Sequence, residues 1–243
     1  MQQRSIVRLG VPLAVAALAL SACGSRDAGT SSTAAGTKTV KIGVIAPLSG
    51  GLSALGLGIK NSVALAVKQA NDSNAIAGWK FEVAAEDDEA KPETGKNAAT
   101  KLSSDDAVLG VVGTLNSSVA QSTVPVLAAA NIAQVSPANT NPSLTQGADA
   151  AAKKRPYANY FRTCTTDAVQ GPFAAQYLLS VGIKSVATIH DKKTYGQGLV
   201  DAFTAEFTKG GGTVVAAETI GEQDKDFSAV ISKIKPSAPA AIY

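Results

Sequence analysis

The 243-residue sequence has a single histidine, two cysteines, one tryptophan and one methionine, and only 5% of its residues are aromatic. With one imidazole, His190, and thiols only at Cys23 and Cys164, a zinc site built on several His and Cys cannot be assembled, and a lone His makes a Ser-His or Cys-His nucleophile pair a weak reading. The expectation is therefore a protein that is not an enzyme, with no catalytic residue, no metal and no cofactor. Charge of one sign is also scarce: the formal net charge is +3, and Lys153-Lys154-Arg155 is the single basic run. Nucleic-acid binders carry a basic face or a reading motif, and neither is present, so no nucleic acid is expected as a partner. The glycines Gly50, Gly51, Gly56 and Gly58 fit neither phosphate-loop spacing. Glu86-Asp87-Asp88-Glu89 reads as a solvated turn rather than a cation site, because hard cations need ligands converging from defined spacings.

What is present starts with a targeting segment. Arg4 and Arg8 precede an apolar stretch, Val11–Leu20, that is too short for a mature bilayer span and ends in small residues. Residues 1–22 are read as a signal peptide. Leu20-Ser21-Ala22-Cys23 resembles the bacterial lipobox, which implies acylation of Cys23 and a membrane anchor. Cys164 would then have no disulfide partner. Residues 23–39, rich in Gly, Ser and Thr, have the composition of a flexible tether.

From Val40 onward β-branched runs alternate with helical patterns, the signature of βαβ units and parallel sheets flanked by helices. Strands are expected at 40–46, 80–85, 107–112 and 132–136, then in a second set at 160–162, 185–190, 213–219 and 240–243. Ile59, Val63, Ala66, Val67 and Ala70 form one helical stripe expected to lie on the sheet. Pro92 suits the first turn of the next helix, Ser117 or Ser118 can cap the third, and Gly210-Gly211-Gly212 stops a later one. These patterns give an α/β fold of two lobes, 40–158 and 159–243. The second is expected to be incomplete, because the sequence stops at Tyr243 inside a strand.

Ligands of open α/β sheets bind outside the carboxyl ends of the strands. Hydroxyls and amides concentrate there in Pro47–Gly51, in Gly113–Ser118 and in Ser136–Asn141. The helix opening at Ser117-Ser118 offers free N–H groups and a positive dipole end to an anion such as a carboxylate. The Thr140 hydroxyl and the Ala138 carbonyl are available to an ammonium.

In order along the chain, Ile42–Gly50, Asp87-Asp88, Gly113–Ser118, Ser136–Thr140, His190–Gly198 and Asp224–Ser228 resemble the branched-chain amino-acid binding proteins of ABC importers. The resemblance implies a type I periplasmic-binding-protein fold whose two lobes close on the ligand. It implies Ser117 and Thr140 at the ligand's carboxylate and ammonium, assisted by the Ala138 backbone in the loop that includes Asn139. Leu115 and Asn116 would flank the side-chain pocket, and Tyr195 would approach from the second lobe. Leu55 stands where relatives carry an aromatic, and Ala90 or Lys91 and Asn116 stand where some carry a disulfide, so the implied ligands extend from Leu/Ile/Val to aliphatic amides, urea and aromatic acids. Expected partners are that small ligand, an ABC permease and, through Cys23, the outer face of the cell membrane, with the protein a monomer. The alternatives are a ligand-sensing domain working with a membrane partner and a non-functional fragment.

Overall fold

The computed structural model describes residues 36–149 and 151–243, so the signal peptide, Cys23 and most of the expected tether lie outside the described residues. In chain order the elements are β1 (Lys38–Ala46), α1 (Ser53–Asp72), β2 (Trp79–Asp87), α2 (Pro92–Ser103), β3 (Val108–Gly113), α3 (Ser117–Ala129), β4 (Ala133–Ser136), α4 (Ser143–Gln146) and β5 (Tyr160–Arg162). Then follow α5 (Asp167–Ser180), β6 (Ser185–His190), α6 (Thr194–Lys209), β7 (Thr213–Thr219), α7 (Ser228–Ile234) and β8 (Ala241–Ile242). Two parallel sheets result, ordered β2-β1-β3-β4-β5 and β7-β6-β8.

One grouping differs from expectation. Tyr160–Arg162 was assigned to the second set of strands, yet it pairs with β4 as the fifth strand of the first sheet. Pairing wins because Gln134 N donates to Asn159 O at 2.9 Å and Asn159 Nδ2 donates to Ile132 O at 2.6 Å, stitching the approach to β5 onto the start of β4. Tyr160 then fills the space beneath α3 and α4, packed with Ala120, Val124 and Leu144. The boundary between the sheets thus falls after Arg162 rather than at 158.

The first sheet buries its two faces unequally. Gly43, Val111, Gln134 and Tyr160 lie in register across it, and Val111, Gln134 and Tyr160 are all buried beneath α2, α3 and α4. On the opposite face the row Val44, Val112, Val135, Phe161 starts fully buried under α1 and ends 45% exposed. Among the described residues one helix, α1, packs on that side. Its expected stripe is only half-buried at Ile59, Val63, Val67 and Ala70, and Ala66 is exposed. Close approach occurs at Gly56 instead, where a Cβ would stand 1.9 Å from the Pro47 carbonyl oxygen. Side chains are therefore excluded where α1 meets the loop after β1.

The second sheet is smaller. Phe203 and Phe207 of α6 stack at 5.2 Å between centroids, and Tyr243 stacks on Phe203 at 3.9 Å. With Ala175 of α5 and Val186 of β6 the two phenylalanines form its core.

Candidate ligand-binding site

The loops after β3 and β4 are built on a buried polar frame. Gln134 Nε2 donates to Gly113 O at 2.9 Å, and Ser136 Oγ donates to Thr114 O at 2.9 Å while accepting from Asn139 N at 2.8 Å. Asn139 Nδ2 donates to Leu115 O at 3.0 Å, and its Oδ1 accepts from the Tyr160 hydroxyl at 3.2 Å. Arg162 completes the frame, donating from Nη1 to Asn139 O at 2.6 Å and from Nη2 to Asn141 O and Thr145 Oγ1. Buried polar groups stay folded when each is partnered, so the strand ends hold their loops rigidly. Burial also pushes the Tyr160 phenol up to about 12, keeping it a neutral donor.

Above this frame lies a cleft of about 260 Å³ lined by Leu52, Leu55, Leu115, Asn116, Ser117, Ala138, Thr140 and Tyr195. Six of the seven residues singled out from sequence meet in it. The seventh, Asn139, is fully buried beneath the floor and supports the loop. Three leucines make one wall apolar, two of them, Leu52 and Leu55, from the start of α1. Opposite stands the start of α3. Its N-cap position is Asn116, not Ser117 or Ser118 as expected, and no side chain caps it. Ser117 is instead the first helical residue and 2% exposed. An uncapped helix start leaves N–H groups and the positive dipole end facing the cleft.

Several buried polar atoms here lack partners. Among the described residues these include Asn116 Oδ1, Thr140 Oγ1, Arg162 Nε and both carboxylate oxygens of Asp167. Native proteins rarely tolerate such atoms without a purpose, and Asn116 and Thr140 are themselves cleft residues. Asp167 starts α5 and donates its N–H to Thr140 O at 3.0 Å. Burial pushes its carboxyl up, while the Thr140 hydroxyl and the Arg162 charge pull the other way. Sequence reading did not single out Asp167.

From the second sheet's side Tyr195, in the first turn of α6, reaches the cleft. It is 43% exposed, and its hydroxyl accepts from Gln170 Nε2 at 3.4 Å. Two hydrogen bonds join the α6 start to the first sheet's side, one to the loop after β4 and one to α3: Asn141 Nδ2 to Thr194 O at 3.1 Å and Thr194 Oγ1 to Gln121 Oε1 at 3.1 Å. Leu52 and Asn116 also wall a neighbouring recess of about 590 Å³, across which Lys193 pairs with Glu222 at 2.6 Å.

One other feature differs from its sequence reading. The acidic run does more than face water: Asp87 accepts from Leu48 N at 2.8 Å and Glu89 N at 2.9 Å, fixing the loop after β1. Asp88 is fully buried, and burial pushes it up to about 6. In the basic run, Arg155 turns back to Tyr157 O and Tyr160 O and lies 4.9 Å over the Phe161 ring. His190 spends Nδ1 accepting from Lys192 N at 3.1 Å, a turn-forming role.

Comparison with known proteins agrees with this fold. Residues 39–243 match the family described as Periplasmic binding protein. The Leu/Ile/Val-binding protein homolog 3 of Brucella melitensis is 38% identical over 205 residues, covering 84% of this chain and 53% of that protein. Among solved structures, a leucine binding protein, LivK, from Thermotoga maritima superposes with a TM-score of 0.75 at 30% identity, covering 84% of this chain and 55% of the other. A solute binding protein of an ABC transporter from R. palustris, in complex with benzoate, superposes at 0.74 with 26% identity, covering 84% and 54%. The chain thus spans about half the length of the relatives it matches, and it belongs to the periplasmic binding protein family.

Proposed function

We propose that the protein captures a small amino-acid-like ligand outside the cell membrane, held there by a lipid on Cys23, and delivers it as a monomer to an ABC permease. The observation that carries this reading is the cleft itself: an uncapped helix start, a hydroxyl and a carbonyl on one side, and three leucines on the other. A ligand carboxylate fits the start of α3 at Ser117, where N–H groups and the helix dipole favour negative charge. Its ammonium fits the Thr140 hydroxyl and the Ala138 carbonyl. An aliphatic or aromatic side chain then lies against Leu52, Leu55 and Leu115, and Tyr195 closes from the other side. No step of bond making is assigned to these residues; they bind and release.

The ligands of similar proteins support the same range. The Thermotoga protein is a leucine binding protein, and that of R. palustris is in complex with benzoate. Both ligands carry a carboxylate on an apolar body, which suits the two walls, and an aromatic acid is the second reading. The experiment is thermal melting of the full-length protein with leucine, isoleucine, valine, phenylalanine, acetamide, urea and benzoate. A ligand bound only by the native state raises the melting temperature with its concentration. The expected outcome is a shift with the branched-chain amino acids; a protein whose melting none of the compounds moves refutes the reading.

A further inference from the structure

Asp167 is fully buried, and neither of its carboxylate oxygens has a hydrogen-bond partner. Its place at the start of α5 suggests helix capping, but the geometry says otherwise. No side chain caps α5, and the N–H groups of Val169 and Gln170 in its first turn donate to Thr166 O. The carboxylate faces Thr140 instead, to whose carbonyl the Asp167 N–H is bonded at 3.0 Å. Thr140 is 8% exposed, lines the cleft, and has an unpartnered hydroxyl.

The surroundings leave this carboxylate with no other task. Arg162 bears on it through its charge, with both Nη atoms committed to the loop at Asn139, Asn141 and Thr145 and Nε without a hydrogen-bond partner. Cys164 and Tyr243 also face it, and burial pushes both up, so neither contributes charge near neutral pH. From α6, Gly198 closes over the group: a Cβ there would lie 3.1 Å from Asp167 Oδ2 and 2.7 Å from Asn141 Nδ2. Glycine lets the helix come down and keep water out. A buried carboxylate without a partner is costly and gains from any cation brought near.

We propose that Asp167 is a positioning residue that acts through Thr140 to make the cleft select ligands bearing a protonated amine. A hydroxyl has one proton to give, and a carboxylate only accepts. When Thr140 donates to Asp167, its lone pairs turn to the cleft, where they accept from an N–H donor and repel a carboxylate or carbonyl oxygen. The negative charge behind the hydroxyl adds attraction for an ammonium in a site screened from water. This rests on the reading of the cleft as an amino-acid site.

The test is calorimetry on the full-length protein with leucine, isoleucine, valine and phenylalanine, each set against its 2-oxo-acid counterpart, which has no donor at that position. In Asp167→Asn the affinity for the amino acid falls about tenfold or more, while that for the oxo acid changes little. Thr140→Val, which leaves the carboxylate in place, gives the same split, and Thr140→Ser keeps the wild-type preference. If either Asp167→Asn or Thr140→Val weakens both ligand types equally, or neither, the proposal is overturned. A wild type that binds none of the amino acids overturns the cleft reading itself, an outcome distinct from an Asp167→Asn protein that binds leucine as the wild type does.

Discussion

The two sheets contribute to the cleft in opposite ways. The first brings seven of the eight lining residues and rests them on buried, cross-bonded polar side chains: Gln134, Ser136, Asn139 and Arg162. The second brings Tyr195, half in solvent and held by one long hydrogen bond from Gln170. A rigid half fixes the geometry of recognition at low entropic cost, and a loosely held half is what a closing motion requires. Affinity and closure are thus divided between two parts of one chain.

The sharpest way to break that contrast is Tyr160→Ala, which empties the space under α3 and removes the donor to Asn139. It should cost about 3–5 kcal/mol in urea unfolding. If the sheets unfold separately, only one of two transitions moves. Next in size is the titration of Asp88, whose folded value of about 6 lies above its ordinary one. The sign is destabilising on ionisation: the native state binds this proton more tightly than the unfolded chain. The contribution is therefore present below about pH 4 and is lost as pH rises to about 6. Asp88→Asn should flatten that loss, on the order of 2 kcal/mol, in melts between pH 4 and 7.

On the second sheet's side, Tyr195→Ala should lower ligand affinity about tenfold while leaving the melting temperature of the free protein unchanged, since an exposed side chain contributes little to stability. An equal loss of stability would show that Tyr195 belongs to the rigid half. The smallest effect is expected from Lys193→Ala. Its pair with Glu222 is partly exposed, so the loss should stay under about 1 kcal/mol and vanish at high salt.

Much of this architecture was legible in the sequence. Strands β6 and β7 fall where period and β-branching place them, because both are flanked by turn residues that end the pattern cleanly. Tyr160–Arg162 was visible as a strand but not as a member of the first sheet, since three residues carry no record of their neighbour; the Asn159 and Gln134 bonds that decide it are long-range. Of the cleft residues, Ser117, Ala138 and Thr140 were legible through polar groups at strand ends, and Leu115, Asn116 and Tyr195 only through the family resemblance. Asn139 was placed among them because an exposed amide and a buried one look the same in sequence, and only the bonds to Leu115 and Tyr160 tell them apart. Asp167 went unread for a similar reason: 27 positions separate it from Thr140, and its isolation from hydrogen-bond partners is a property of space.

The row that runs from Val44 to Phe161 has a practical side. Phe161 at the end of that row is 45% exposed at the side Arg155 does not cover, and with Leu109 of β3, 50% exposed, it makes an adhesive surface. Handled within these bounds, the polypeptide should light up hydrophobic dyes, stick to itself as concentration rises, and stay in solution best with mild detergent; Phe161→Lys should reduce that clumping first.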